Sequence, residues 1–150
     1  MIRVNPTGQE VDLSDGNFIY EIDKDGFITY ANRSFLNFTG YDKSKLVGSH
    51  YSAIVDPHMP RTLFYCMQNS TGRGETWKGY SKNLLHNGDH YWAVAYVAPK
   101  GEEAAGYTVM YKAAGKDAVK SVSAKYEEIY ALEQKGHDTT GLIKNIIITG

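Results

Sequence analysis

Between Thr76 and Ala98 the chain carries both of its tryptophans, Trp77 and Trp92, and between them Gly79, Ser81 and Asn83 recur at every second residue. A period of two is that of a strand, so Trp77, Gly79, Ser81 and Asn83 share one face. Glycine and serine leave room beside an indole. Asn83 brings amide donors and an acceptor that a purely apolar interior leaves unpaired at a cost. A flat ligand rich in nitrogen and oxygen suits such a face, and so does a core whose single amide is satisfied by backbone or water.

Asn87-Gly88 is the strongest short-range hairpin signal in the sequence. Read as a two-residue type I′ turn, it pairs His86 with Asp89. Counting back sets Asn83 opposite Trp92, Ser81 opposite Val94, Gly79 opposite Tyr96 and Trp77 opposite Ala98. On that reading Trp92 joins Trp77, Ser81 and Asn83 as a candidate ligand contact, and the face with Lys78 and Lys82 is the outer one.

Other chemistry is sparser. The one cysteine, Cys66, excludes an internal disulfide and the paired cysteines of structural zinc. No phosphate loop of the GxxxxGK[ST] type is present, nor a nucleophile with a placed base, so no catalytic residue is expected and the chain does not read as an enzyme. His58 sits before a predicted helix, where an axial ligand to haem would stand, although a lone histidine there is more often a cap or a surface group. His86 and His90 flank the turn, where solvated side chains are the ordinary outcome. His50 and His137 carry no motif.

These residues need a scaffold. Phe18–Ile22 and Phe27–Tyr30 read as strands joined by the turn residues Asp23–Gly26. Asn32 and Asp42 suit helix N-caps, with Gly40 at a left-handed end. A longer helix starting near Pro60 carries Leu63, Phe64 and Met67 as a buried stripe and stops near Gly72. Three strands follow, the last over Gly106–Ala113. Two strands, several short helices and three strands describe an α+β domain: a five-stranded antiparallel sheet with helices on one face.

Beyond Gly115, Ala118, Val122, Ile129 and Leu132 mark an exit helix of about five turns, which packs on its own domain or meets a partner. Residues 1–15 read as an N-terminal arm, 16–114 as the domain, and 115–150 as a helical extension whose last stretch, with Ile146-Ile147-Ile148, is strand or helix end. At 150 residues and a net charge of -1 the chain fits one globular domain, with no electrostatic attraction to nucleic acid or anionic membrane. It has no apolar run of membrane-spanning length and no signal-peptide core, so the expected location is the cytoplasm and any membrane anchor belongs to another chain.

The order of elements, together with Gly26-Phe27-Ile28-Thr29-Tyr30-Ala31-Asn32, Phe38-Thr39-Gly40-Tyr41 and Asn87-Gly88-Asp89-His90-Tyr91-Trp92, resembles the PAS family. Within it the chain is similar to the flavin-binding PAS domain of Aer-type aerotaxis receptors, over roughly Asn5 to Asp117. The resemblance implies a PAS fold, non-covalent FAD, sensing of redox or oxygen-linked energy state, and a signal passed to a chemotaxis receptor or signalling protein. It also implies that Asn32, Trp77 and Asn83 lie where family members place residues of the flavin pocket. One block departs: the family's Arg-His-Pro-Asp-Met-Pro is here Val55-Asp56-Pro57-His58-Met59-Pro60, and an upstream family histidine is Tyr51. Losing the arginine removes a bidentate cation from a site suited to pyrophosphate. A cysteinyl-flavin photosensor needs Asn-Cys where this chain has Asn32-Arg33, which excludes that branch. The alternative to a flavin sensor is a cofactor-free or small-metabolite PAS module that acts through protein contacts, as a homodimer or with a receptor chain; a haem sensor built on His58 is a third reading.

Overall fold

The computed structural model describes residues 2–101 and 105–142. Strands β1 (Phe18–Asp23) and β2 (Ile28–Ala31) lead into helices α1 (Arg33–Thr39) and α2 (Lys43–Leu46). A 3-10 turn at Tyr51–Ile54 precedes α3 (Arg61–Gly72). Strands β3 (Trp77–Leu84), β4 (His90–Pro99) and β5 (Gly106–Ala113) then lead to the exit helix α4 (Lys116–Gln134). All five strands pair antiparallel in the order β2-β1-β5-β4-β3, so the α+β fold expected from the sequence is the fold observed. Ile146-Ile147-Ile148 lies outside the described residues.

Local chemistry explains the short helices. The Asn32 side chain accepts from the Phe35 N–H to open α1, and Gly40 closes it at φ 77°. Asp42 opens α2 by accepting from Ser44 N–H. The alternating burial of β1 sends Phe18, Tyr20 and Ile22 inward, where Tyr20 meets Phe35 of α1 and Tyr111 of β5. That is the main core. The N-terminal arm is tied to the hairpin end by Thr7 N–H to Gly88 C=O, His90 N–H to Gln9 C=O and Val11 N–H to His90 C=O.

The β3–β4 hairpin corrects the expected turn. Leu85 N–H donates to Asp89 C=O at 2.7 Å and Gly88 N–H donates to Leu85 C=O at 2.9 Å, so the loop holds His86, Asn87 and Gly88, with Gly88 at φ 95°. This is a three-residue connection with glycine in the left-handed position rather than a two-residue turn. Tertiary contacts favour it: Leu85 is buried in the main core, and both the N–H and the ring of His86 meet the Thr39 carbonyl at the end of α1. The ladder therefore pairs Leu84 with His90, Asn83 with Tyr91, Lys82 with Trp92 and Ser81 with Ala93. A one-residue slip turns every side chain of β4 to the other face. Tyr91, Ala93, Ala95 and Val97 point inward with Asn83, Ser81, Gly79 and Trp77, while Trp92 points outward.

The outward Trp92 is covered by α4. Its indole packs on Tyr126 at 5.9 Å between centroids, and Val122, Tyr126 and Ile129 form a second core with Trp92, Val55, Met59 and Leu63. Tyr126 Oη donates to the Tyr80 carbonyl at 2.9 Å. The exit helix thus packs on its own domain, crossing the lysine-bearing face near the β3 edge. That edge is partly capped by the bridge between Val55 and Asn83 and by Asp56 N–H to Lys82 C=O.

Replacing Gly88 with alanine forces a side chain into the left-handed region and against the Asn5 carbonyl. We expect a loss of about 2 kcal/mol, read by chemical denaturation. Faster amide exchange should appear first at Thr7 and Val11, and unchanged stability would show that this turn does not set the hairpin.

Candidate functional site: a narrow slot between the sheet and α3

The inner face of β3 and β4 is unusually low. Gly79, Ser81, Ala93 and Ala95 present almost no side chain there, and the long α3 lies across from them. Between the two sits a slot lined by Ala95 and Val97 on the sheet side and by Met59, Leu63, Phe64 and Met67 on the helix side. Tyr20 and Tyr111 form its floor, and Trp77 and Ser81 line the β3 edge. The free volume is about 30 Å³, space on the scale of a water molecule or two. Trp77 occupies much of what the small residues clear: its indole lies on Gly79, where any added methyl group would overlap it.

The slot lining is apolar apart from Ser81 and the tyrosines, and Ser81 ties it to Asn83. Asn83 is fully buried, and its Oδ1 accepts from Ser81 Oγ at 2.7 Å, while its Nδ2 reaches the Ser81 carbonyl only at 3.4 Å. The amide's donor side is thus held by one long, local bond. Deeper in, Tyr20 and Tyr111 share a hydroxyl hydrogen bond of 2.8 Å. Burial pushes the Tyr111 phenol up, and hydrogen bonding with Tyr20 and Ser81 pulls it part of the way back, to about 12. Tyr20 and Tyr91, fully enclosed, are pushed well above the ordinary value, first by desolvation and then by their neighbouring tyrosines.

The residues anticipated from the sequence separate into groups. Trp77, Ser81 and Asn83 share one face, as expected; Trp77 and Ser81 line the slot, and Asn83 is joined to that lining through Ser81 Oγ. Trp92 does not: the register places it on the opposite face, beneath α4. Asn32 is a structural cap, its Oδ1 accepting from Phe35 and Ile19 N–H and its Nδ2 donating to the Asn17 carbonyl at 2.8 Å. His58 points away from the slot with 69% of its side chain exposed, edge-on to Tyr130 and 3.5 Å from Asp56. Asp56 itself is buried, 3.5 Å from Lys82 Nζ, and accepts the His58 N–H at 2.8 Å. Tyr20, Tyr111 and Ala95 were missed. Ala93-x-Ala95 between aromatic residues was the available signal, and the wrong register hid it.

The PAS domain family matches residues 14–112. The chain belongs to the PAS family. It is 31% identical over 128 residues to the aerotaxis receptor of Escherichia coli (strain K12), which covers 83% of this chain and 25% of the receptor. The PAS chain therefore spans about a quarter of that relative's length. Among solved structures it resembles the light-oxygen-voltage domain of the Erythrobacter litoralis EL346 blue-light activated histidine kinase (TM-score 0.57, 19% identity, 69% of this chain and 99% of that one). It also resembles a light-oxygen-voltage domain described with a flavin analogue (TM-score 0.59, 21% identity, 77% and 88%). The PAS domain of an HTR-like protein from Haloarcula marismortui is similar as well (TM-score 0.56, 17% identity, 65% and 81%). At these identities the likeness is one of fold. Among the described residues no helix is long and apolar enough to cross a membrane, and no group of three or more His, Cys, Asp or Glu converges as a metal site.

Two outcomes test this placement. Asn32→Ala removes the α1 cap and its ties to β1, and should lower stability by about 1–2 kcal/mol in denaturant melts while leaving Ser81 and Asn83 unperturbed in amide spectra; shifts centred on the slot would place Asn32 there after all. Tyr111 ionises near 10 when unfolded and at about 12 when folded. Its contribution to stability is complete below pH 10 and is lost as pH rises through 12. Phenolate absorbance on titration to about pH 11 should therefore lack the buried tyrosines until the protein unfolds, and full ionisation of a still-folded protein would contradict the closed seam.

Proposed function

We propose that this PAS domain is a sensory module that binds the ring system of FAD in the slot, reports redox or oxygen-linked energy state, and relays it to a chemotaxis partner in the cytoplasm. The observation that carries the reading is the Ser81–Asn83 seam: a fully buried amide whose donor side has only a weak local partner, set in an otherwise apolar, small-residue face. A flat heterocycle with a polar rim is the ligand class that such a seam completes. The aerotaxis relative and the flavin-related fold neighbour support the same direction.

The chemistry of the slot fits the ring, and its space is held by Trp77. Uptake thus requires Trp77 to leave the surface of Gly79, where it can stack on or edge the ring instead, and requires Met59, Leu63 and Met67 to yield; methionine side chains adapt readily. The slot lining contains no lysine or arginine, and the family's arginine position is Val55. The diphosphate of FAD is therefore not gripped inside, and the isoalloxazine carries the recognition. A bound flavin supplies a redox centre whose ring gains protons on reduction. The chain's part is Asn83, which offers both donor and acceptor and can exchange its bond to Ser81 for one to the ring. A differential interaction of a few kcal/mol between the two states is enough to shift a two-state element.

The small free volume favours a second reading, a cofactor-free or small-metabolite PAS module that works as a homodimer or on a receptor chain. His58 gives little support to haem, since it lies outside the slot. Absorption of the purified chain with and without added FAD, FMN and riboflavin separates these readings. The flavin reading predicts uptake of all three ligands within about tenfold of one another, a change in Trp77 fluorescence, and an affinity at least about tenfold lower in Asn83→Ala, from loss of one buried hydrogen bond. A colourless, folded protein that takes up none of them refutes it.

A further inference from the structure

The N-terminus of α3 is capped by a residue from the far end of the exit helix. Pro60 offers no side-chain cap of its own. Instead Glu133, in the last turn of α4, reaches back: its Oε1 accepts the Arg61 N–H at 2.9 Å, and its Oε2 accepts the Thr62 N–H at 2.9 Å and the Thr62 hydroxyl at 2.6 Å. Thr139, beyond the end of α4, closes the group through Thr62 Oγ1 and Glu133 Oε2. The carboxylate thereby fills donors that a helix start leaves free, at the end where the helix dipole favours negative charge. Partial burial pushes the Glu133 carboxyl up, but the bonds from Thr62 and Arg61 outweigh it and hold it below the ordinary range.

The helix so gripped is the one that roofs the slot. Leu63, Phe64 and Met67 of α3 face the cavity, one to five residues beyond Thr62, whose N–H Glu133 holds. Helix α4 also reaches the opposite side of the sheet through Trp92 and the Tyr80 carbonyl, and its Val122, Tyr126 and Ile129 share an apolar core with Met59 and Leu63. A slot of about 30 Å³ cannot fill without displacing its roof or Trp77. We propose that Glu133 is the latch through which displacement of α3 reaches the exit helix: a positioning residue that couples filling of the slot to the docking of α4. The proposal rests on the reading that the slot takes a ligand, and it adds the route by which occupancy leaves the domain.

The test is amide exchange on the full chain for the wild type, Glu133→Gln and Glu133→Ala, with and without FAD. Without FAD, E133A should exchange roughly tenfold or more faster at Arg61, Thr62 and across residues 116–134, with E133Q between. Unchanged protection in β1 and β5 distinguishes release of the latch from global unfolding. With FAD, the wild type should change its protection across 116–134, whereas E133A should take up FAD without that response. An E133A protein whose exit helix is protected as in the wild type, or whose response to FAD is intact, overturns the latch. If the wild type takes up no FAD, the ligand reading fails by itself. The latch is then judged by Met67→Ala, which loosens α3 on the slot side: it should change exchange in α4 when Glu133 is present and not in E133A, and equal changes in both backgrounds would refute it.

Discussion

The pairing of β3 with β4 is the constraint on which the remaining arrangement depends. Three loop residues, His86, Asn87 and Gly88, rather than two, join the strands, and that count decides which face of β4 meets α3 and which meets α4. With Ala93 and Ala95 inward, the sheet leaves a shallow trough beside Ser81 and Asn83. With Trp92 outward, α4 gains a broad aromatic surface on which Tyr126 packs. Shifted by one residue, Trp92, Val94 and Tyr96 would fill the trough and the exit helix would face alanines. One turn thus sets both the candidate site and the seat of the exit helix.

Two cores on opposite faces follow from the same choice. The inner one is built from stacked aromatic residues, Tyr20, Phe35, Tyr91 and Tyr111 among them, and tolerates its buried hydroxyls because Tyr20 and Tyr111 satisfy each other. The outer one joins α4 to the loop and helix before and within α3. Met59 and Leu63 belong to that second core and also line the slot. This shared membership puts α4 in contact with the slot lining, and the Glu133 cap is the directed polar link that ties α4 to the start of α3.

Where the chain departs from the family pattern, the departure is structurally coherent. Val55 is buried and bridges to the β3 edge, and Asp56 is buried beside Lys82 with its backbone N–H on the Lys82 carbonyl. The block Val55–Pro60, where the resemblance implies an arginine, here covers part of the edge strand. It fastens the loop before α3 to β3, and it leaves the slot without a cation.

Much of the architecture was legible in the residues alone. Caps at Asn32 and Asp42, the stop at Gly40, the strand-forming runs of β1 and β5 and the exit helix are local matters, decided by propensity, capping and pattern within a few residues. The inward face of β3, with Trp77, Ser81 and Asn83, was equally readable because alternation within one strand needs no partner. The pairing of β4 was not, since Asn87-Gly88 suits more than one loop length and the choice lay with Leu85 in the core and His86 against Thr39, contacts from distant parts of the chain. The same holds for His58, which residue type marked as a capable group and only the tertiary structure turned to solvent, and for Glu133, which carried no signal in the sequence and caps a helix some seventy residues away. Local chemistry is written in neighbouring residues; which face, which partner and which cavity depend on packing between segments that the order of residues does not bring together.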